Sequence, residues 1–145
     1  MEKKEEVLRI ENLHISFKTT AGTVKAVRGV NLTVNRGETV AIVGESGSGK
    51  SVSAKAVMGI LAKNGVIDQG RVTLSYYRSP QEKITREILE MKKEEIRRHV
   101  NGKRIAMVFQ DPMTSLNPLI PVGRQIMEGM IWHYNTPKEE AQKKA

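Results

Sequence analysis

The chain has 145 residues, with 24 Lys and Arg against 16 Asp and Glu, for a formal net charge of +8. That length accommodates one domain, and 39% hydrophobic with 28% charged residues is the composition of a folded chain rather than a disordered one. Cysteine is absent, which excludes disulfides, thiolate catalysis and Cys-based zinc sites. No apolar run reaches the ~18 residues needed to cross a bilayer, and the opening Met-Glu-Lys-Lys-Glu-Glu lacks the apolar core of a secretory signal. These features predict a cytosolic protein whose membrane contact, if any, runs through a partner. The basic excess is interleaved with acids. Glu82 and Arg86, Lys83 and Glu87, and Glu94 and Arg98 stand four apart, the spacing of ion pairs on a helix surface. The few aromatic residues form no stacking platform, so the charge reads as a solvated face and no nucleic-acid partner is expected.

Leu13, Ile15 and Phe17 alternate with polar residues and predict a half-buried strand. Val30, Leu32 and Val34 predict a second strand antiparallel to it, with Ala21-Gly22 turning between them. After the break at Arg36-Gly37, Val40 to Val43 run apolar without alternation, the pattern of a strand covered on both faces in a parallel sheet. A helix is expected from Lys50 to about Lys63, with Val52, Ala56, Val57, Ile60 and Leu61 on one face and Asn64-Gly65 as its stop. Asp68-Gln69-Gly70 then turns into a short strand carrying Val72 and Leu74.

Ser79-Pro80-Gln81-Glu82 has the form of a capping box with Pro at the first helical position. It predicts a helix bearing Ile84, Ile88 and Met91 and ending at Asn101-Gly102. Ile105 to Phe109 is a second continuous apolar run, read as another buried strand. Asp111 to Pro121 is a loop with three prolines, and Val122, Ile126 and Met130 mark a further helix from which Trp132 falls to one side. Thr136-Pro137-Lys138-Glu139, a second capping box, opens a last helix, and the sequence reads as stopping inside it. His14, His99 and His133 are too far apart to suggest a metal site.

One motif carries chemistry. Gly44-Glu45-Ser46-Gly47-Ser48-Gly49-Lys50-Ser51 fits the phosphate-binding loop G-x-x-x-x-G-K-[ST], and it stands between a predicted buried strand and an amphipathic helix, as that motif requires. Glycines let the backbone turn tightly and approach a ligand. The loop N–H groups then converge on an anion, and the following helix adds its positive end. Lys50 supplies a point charge for the β- and γ-phosphates, and Ser51 a hydroxyl ligand for Mg²⁺. The loop alone does not name a reaction. Gln110 occupies the end of the Ile105 to Phe109 run, where an amide oxygen can ligate Mg²⁺ or orient water but cannot act as a base. Asp111, one residue further on, leaves a small P-loop kinase open as an alternative, and a non-catalytic nucleotide-binding or interaction module is another.

Phe17, the loop at Gly44 to Ser51, and Ile105-Ala-Met-Val-Phe-Gln-Asp-Pro112 together resemble the ATP-binding subunit of ABC transporters. The stretch Phe109-Gln-Asp-Pro-Met-Thr-Ser-Leu-Asn-Pro118 is similar to the subunits that serve oligopeptide, dipeptide and nickel importers. The resemblance runs from Leu8 to about Tyr134. It implies an α/β P-loop NTPase fold with an N-terminal antiparallel β piece. Residues 1–145 would form one incomplete nucleotide-binding domain, with 1–110 as the β piece and P-loop core and 111–145 as the Q-loop region and the start of a helical subdomain. It also implies that Gln110 is the Q-loop glutamine contacting Mg²⁺ and attacking water, and that Phe17 stacks on adenine. ATP and Mg²⁺ are the implied cofactors. A second ATP-binding subunit and transmembrane permease subunits are the implied partners, placing the protein peripherally on the inner face of the membrane. The family's signature loop, Walker B aspartate, following glutamate and switch histidine have no counterpart in the sequence. The chain is therefore expected to bind nucleotide without turning it over alone, and to leave an apolar sheet edge that favours self-association.

Overall fold

The computed structural model describes residues 4–109 and 116–145. The chain divides into two compact units, Met1–Ile96 and Arg97–Ala145.

The first unit is organised by four antiparallel strands: β1 (Glu6–Thr19), β2 (Gly22–Asn35), β3 (Gly65–Ser79) and β4 (Glu82–Glu87), in the order β2-β1-β3-β4. The expected β1–β2 hairpin is present, with Thr19 opposite Gly22 across a two-residue turn. β1 is central, and its burial shows why its alternation begins where it does. Ile10 is buried, and so are Leu13 and Ile15, which stand on the opposite parity. A bulge between Ile10 and Leu13, centred on Asn12 with its φ of 45°, inserts one extra residue and returns the apolar side chains to the core face. Gly70 on β3 accommodates the bulge: a Cβ there would stand 2.7 Å from Leu13 Cα. Val27, Val72 and Leu74 complete the sheet's buried face. Ala56, Val57 and Met58 are buried in and just after helix α1 (Lys50–Val57), which contacts β1 and β2.

Several sequence expectations are corrected here. Helix α1 stops at Val57, not near Lys63, because the chain turns at Met58-Gly59. Asn64-Gly65 opens β3 rather than closing a helix, and Asp68-Gln69-Gly70 lies inside that strand. The largest correction concerns Ser79-Pro80-Gln81-Glu82. It forms a hairpin turn with Ser79 opposite Glu82, and β4 follows in place of a helix. Tyr76, opposite Ile84, and Ser75, whose hydroxyl lies 3.1 Å from that of Thr85, supply cross-strand partners that a capping-box reading ignores. Ile84 and Ile88 therefore share no helical stripe; Ile88 is buried in a single 3-10 turn, Ile88–Glu90. The Glu82/Arg86 and Lys83/Glu87 pairs fall with the helix, since four residues of strand separate them by about 13 Å. Glu82 instead meets Arg78 at 2.9 Å, Lys83 meets Glu5 at 3.2 Å and Glu87 meets Arg71 at 3.7 Å.

Val40 to Val43 form no strand, and Val43 is 93% exposed. Ile105 to Phe109 likewise form none beyond a single bridge between Ile105 and Asn101, and Val108 is 99% exposed. A parallel strand exists only by pairing with neighbours, and among the described residues no strand stands beside either run.

Helix α2 (Lys93–His99) ends ahead of Asn101-Gly102, as expected. In the second unit, α3 (Val122–Tyr134) and α4 (Lys138–Lys144) pack on one another around the buried Ala141. α3 is the helix marked by Val122, Ile126 and Met130, yet none of its residues is fully buried. The Arg97 guanidinium lies over the Trp132 ring, 5.2 Å from its centroid. α4 begins where the second capping box predicts, but Pro137 stands at its N-cap and no side chain caps it. Gln125 ties the preceding loop to α3. Its amide nitrogen donates to the carbonyls of Asn117 at 2.8 Å and Ile120 at 2.7 Å, and its oxygen accepts from the Asn117 N–H at 2.8 Å. No helix among the described residues is long and apolar enough to cross a membrane.

Candidate functional site

The Gly44 to Ser51 loop leads directly into α1, and its shape follows from its glycines. Gly47 and Gly49 hold left-handed φ values of 82° and 90°, a region that side chains penalise. Gly49 is the N-cap of α1, with no side-chain cap above it, so the first N–H groups of the helix are left for another acceptor. Gly49 also sits against β2, where an added Cβ would fall 2.7 Å from the Ala26 carbonyl oxygen. Ser53 secures the first turn of α1, its N–H and hydroxyl both donating to the Gly49 carbonyl, at 2.9 and 3.1 Å.

Lys50 folds back over the loop. Its ammonium donates to the carbonyls of Gly44 at 2.6 Å and Glu45 at 2.7 Å, and to Ser48 Oγ at 3.2 Å. Ser48 N–H donates to the Glu45 carbonyl at 3.3 Å, closing the turn beneath it. No acidic residue stands in the first turn of α1. Ser51 is exposed in that turn. Left-handed glycines, an uncapped helix start and a lysine at its mouth are the features by which such loops bind anions in general.

Phe17 is half-buried on β1, opposite Val24 on β2 and Gly65 on β3. Val24 lies two residues from Ala26, the residue against which Gly49 packs, so Phe17 shares the loop's end of the sheet. Gln110 and Asp111 lie outside the described residues. The sequence assigns Asn64, Gly65 and Ser53 no part in the site; Ser53 bonds Gly49, Gly65 abuts Phe17 and Asn64 bonds the neighbouring Lys18, and only tertiary pairing reveals the last two.

A family model described as ABC transporter matches residues 27–145. The chain belongs to the ABC transporter family. Among its relatives, it is 44% identical over 98% of its length to the dipeptide transport ATP-binding protein DppD of Lactococcus lactis subsp. cremoris. It is 43% identical over 96% to the oligopeptide transport ATP-binding protein OppD of Bacillus subtilis, and 46% identical over 94% to the glutathione import ATP-binding protein GsiA of Escherichia coli. It spans 38%, 36% and 21% of the lengths of these three proteins. Membership in the ABC transporter family carries the α/β P-loop NTPase fold class, and the observed antiparallel sheet, loop and α1 are consistent with the N-terminal part of that domain.

Proposed function

We propose that this chain supplies the ATP-binding loop of the ATP-hydrolysing subunit of an ABC importer for peptides. The observation that carries the reading is the Lys50 ammonium held at the mouth of a loop whose Gly47 and Gly49 take left-handed φ. The loop suits the nucleotide's phosphates: the uncapped N–H groups at the start of α1 are open to an anion, Lys50 adds a point charge, and Ser51 offers a hard oxygen to Mg²⁺. Bound Mg²⁺ would neutralise charge developing on the phosphates. Gln110 is assigned to the same metal and Phe17 to the adenine ring. On this reading residues 1–110 are the β piece and nucleotide-binding core, and 111–145 begin the helical subdomain.

The transported class follows from the relatives, whose names specify dipeptide, oligopeptide and glutathione transport. These favour peptides over nickel. The partners are a second ATP-binding subunit and transmembrane permease subunits, which hold the protein at the inner membrane face. The acid and general base needed for turnover have no counterpart in the sequence, so the chain binds ATP without hydrolysing it alone.

Titration calorimetry with Mg·ATP tests this. We expect saturable binding that weakens at least tenfold in Lys50→Ala, since charge-assisted contacts of this kind are worth ~1.5–3 kcal/mol. Flat heats from folded protein would refute the reading, and Lys50-dependent steady-state hydrolysis would refute the claim of inactivity.

A further inference from the structure

We propose that Gly65 and Asn64 are positioning residues that set the ring of Phe17, and through it the share of nucleotide affinity that comes from the base. The proposal rests on the reading of Phe17 as the residue that stacks on that base.

Gly65 stands directly opposite Phe17 in the β1–β3 register. A Cβ at position 65 would lie 2.9 Å from Phe17 Cε1 and 3.4 Å from Cδ1, and 3.2 Å from the Ala62 carbonyl oxygen. Gly65 is not among the glycines with a left-handed φ. Its backbone is therefore open to other residues, and what the missing side chain provides is room for the ring. A strand glycine of this kind marks a close approach. Any side chain at 65 would push the ring off its present place.

The backbone beside the ring is pinned independently. Lys18 N–H donates to the Asn64 carbonyl at 2.9 Å, and Asn64 Nδ2 donates to the Lys18 carbonyl at 3.0 Å. Asn64 thus bonds both peptide groups of the residue next to Phe17. Gly65 N–H in turn donates to the Ala62 carbonyl at 2.9 Å, which ties the pair to the segment after α1. The side-chain bond is exposed, so little burial is gained by it. Its effect is to hold a half-buried aromatic at the end of the sheet nearest the phosphate loop. Stacking rewards a ring only when it is already in place, because orientation bought at binding is subtracted from affinity.

Comparing ATP with inorganic triphosphate separates base from phosphate. Phe17→Ala is expected to weaken Mg·ATP binding about five- to tenfold, the low end for a lost base–aromatic stack, and to leave triphosphate binding unchanged. Gly65→Ala is expected to weaken Mg·ATP about threefold or more, again with triphosphate binding intact. In the double variant, Gly65→Ala should add nothing to the loss from Phe17→Ala, as residues acting through one another do. Wild-type ATP affinity in Gly65→Ala, beside a loss in Phe17→Ala, overturns the positioning role and leaves the stacking reading standing. Equal losses for ATP and triphosphate in Gly65→Ala also overturn it, since they report general damage. No loss in Phe17→Ala removes the reading beneath it. Should Gly65→Ala fail to fold, Asn64→Ala must show the same ATP-specific loss at smaller size, and unchanged ATP affinity there overturns the proposal.

Discussion

The four-stranded sheet and the two apolar runs outside it use the same residue types and end in opposite environments. Ile10, Leu13 and Ile15 of β1 are buried, whereas Val43 and Val108 stand almost wholly in solvent. Apolarity does not separate them. What differs is whether the backbone is paired. β1 pairs with β2 across a two-residue turn and with β3 from far along the chain, and β3 pairs in turn with β4, so the backbone groups of each strand find partners. Val40 to Val43 and Ile105 to Phe109 carry the unalternating pattern of a parallel strand, and such a strand needs neighbours delivered by long crossovers. The hydrophobic effect is non-directional. It sets the demand for burial, and only a paired backbone meets it.

The sharpest way to break this comparison is to make one residue on each side of it less apolar. Leu13→Ala should cost about 2–5 kcal/mol, the range for a fully buried leucine. Val43→Thr should stay within about 0.5 kcal/mol, as exposed substitutions do. The readout is the urea midpoint at constant m-value. Equal losses would mean that the Val40 to Val43 run is packed in solution, and the contrast would disappear.

A smaller effect sharpens the same contrast inside the sheet. Gly70 faces the β1 bulge with a φ of 122°, and a Cβ there would meet Leu13 Cα at 2.7 Å and the Asn12 carbonyl oxygen at 2.9 Å. Gly70→Ala should cost about 1–3 kcal/mol, the scale of a residue forced into such a conformation. Amide exchange should rise first around Asn12 and Leu13. Protection lost evenly over the sheet would show that the bulge is not the strained point.

How much of this was legible in the sequence depends on how local the cause was. The β1–β2 hairpin was legible because alternation and a nearby turn signal both lie within or beside the elements they specify, although the turn itself is Thr20-Ala21 and Gly22 opens β2. The phosphate loop was legible because glycine spacing and the lysine that follows are themselves the mechanism. β4 was misread because Ser-Pro-Gln-Glu satisfies a capping box and a hairpin turn equally well, and the deciding fact is that Tyr76 stands opposite Ile84. The bulge at Asn12 was not read because it depends on a partner strand that leaves room for it, supplied by a glycine 58 positions away. Asn64-Gly65 was read as punctuation for the same reason: its partner is Phe17, on the other strand.

The weakest expected effect lies at the joint between the two regions. Glu38 stands just after β2 and just before the Val40 to Val43 run. Its carboxylate accepts the Asn35 N–H at 2.9 Å and Asn35 Nδ2 at 2.7 Å. The backbone bond first, and the amide bond second, hold its pKa below the ordinary 4.5. Lowering a carboxylate pKa on folding means that the contribution is complete above 4.5 and disappears as the pH falls through the folded value. The group is fully exposed, so the effect belongs to the turn and not to global stability. The Asn35 amide resonance should therefore titrate with a midpoint under 4.5 in the native chain. In Glu38→Gln, whose amide oxygen still accepts but carries no charge, the same resonance should be flat over that range. A midpoint at or above 4.5 would mean that the carboxylate is not bonded in solution, and that the sheet ends at Asn35 without a clasp to the chain that enters the phosphate loop.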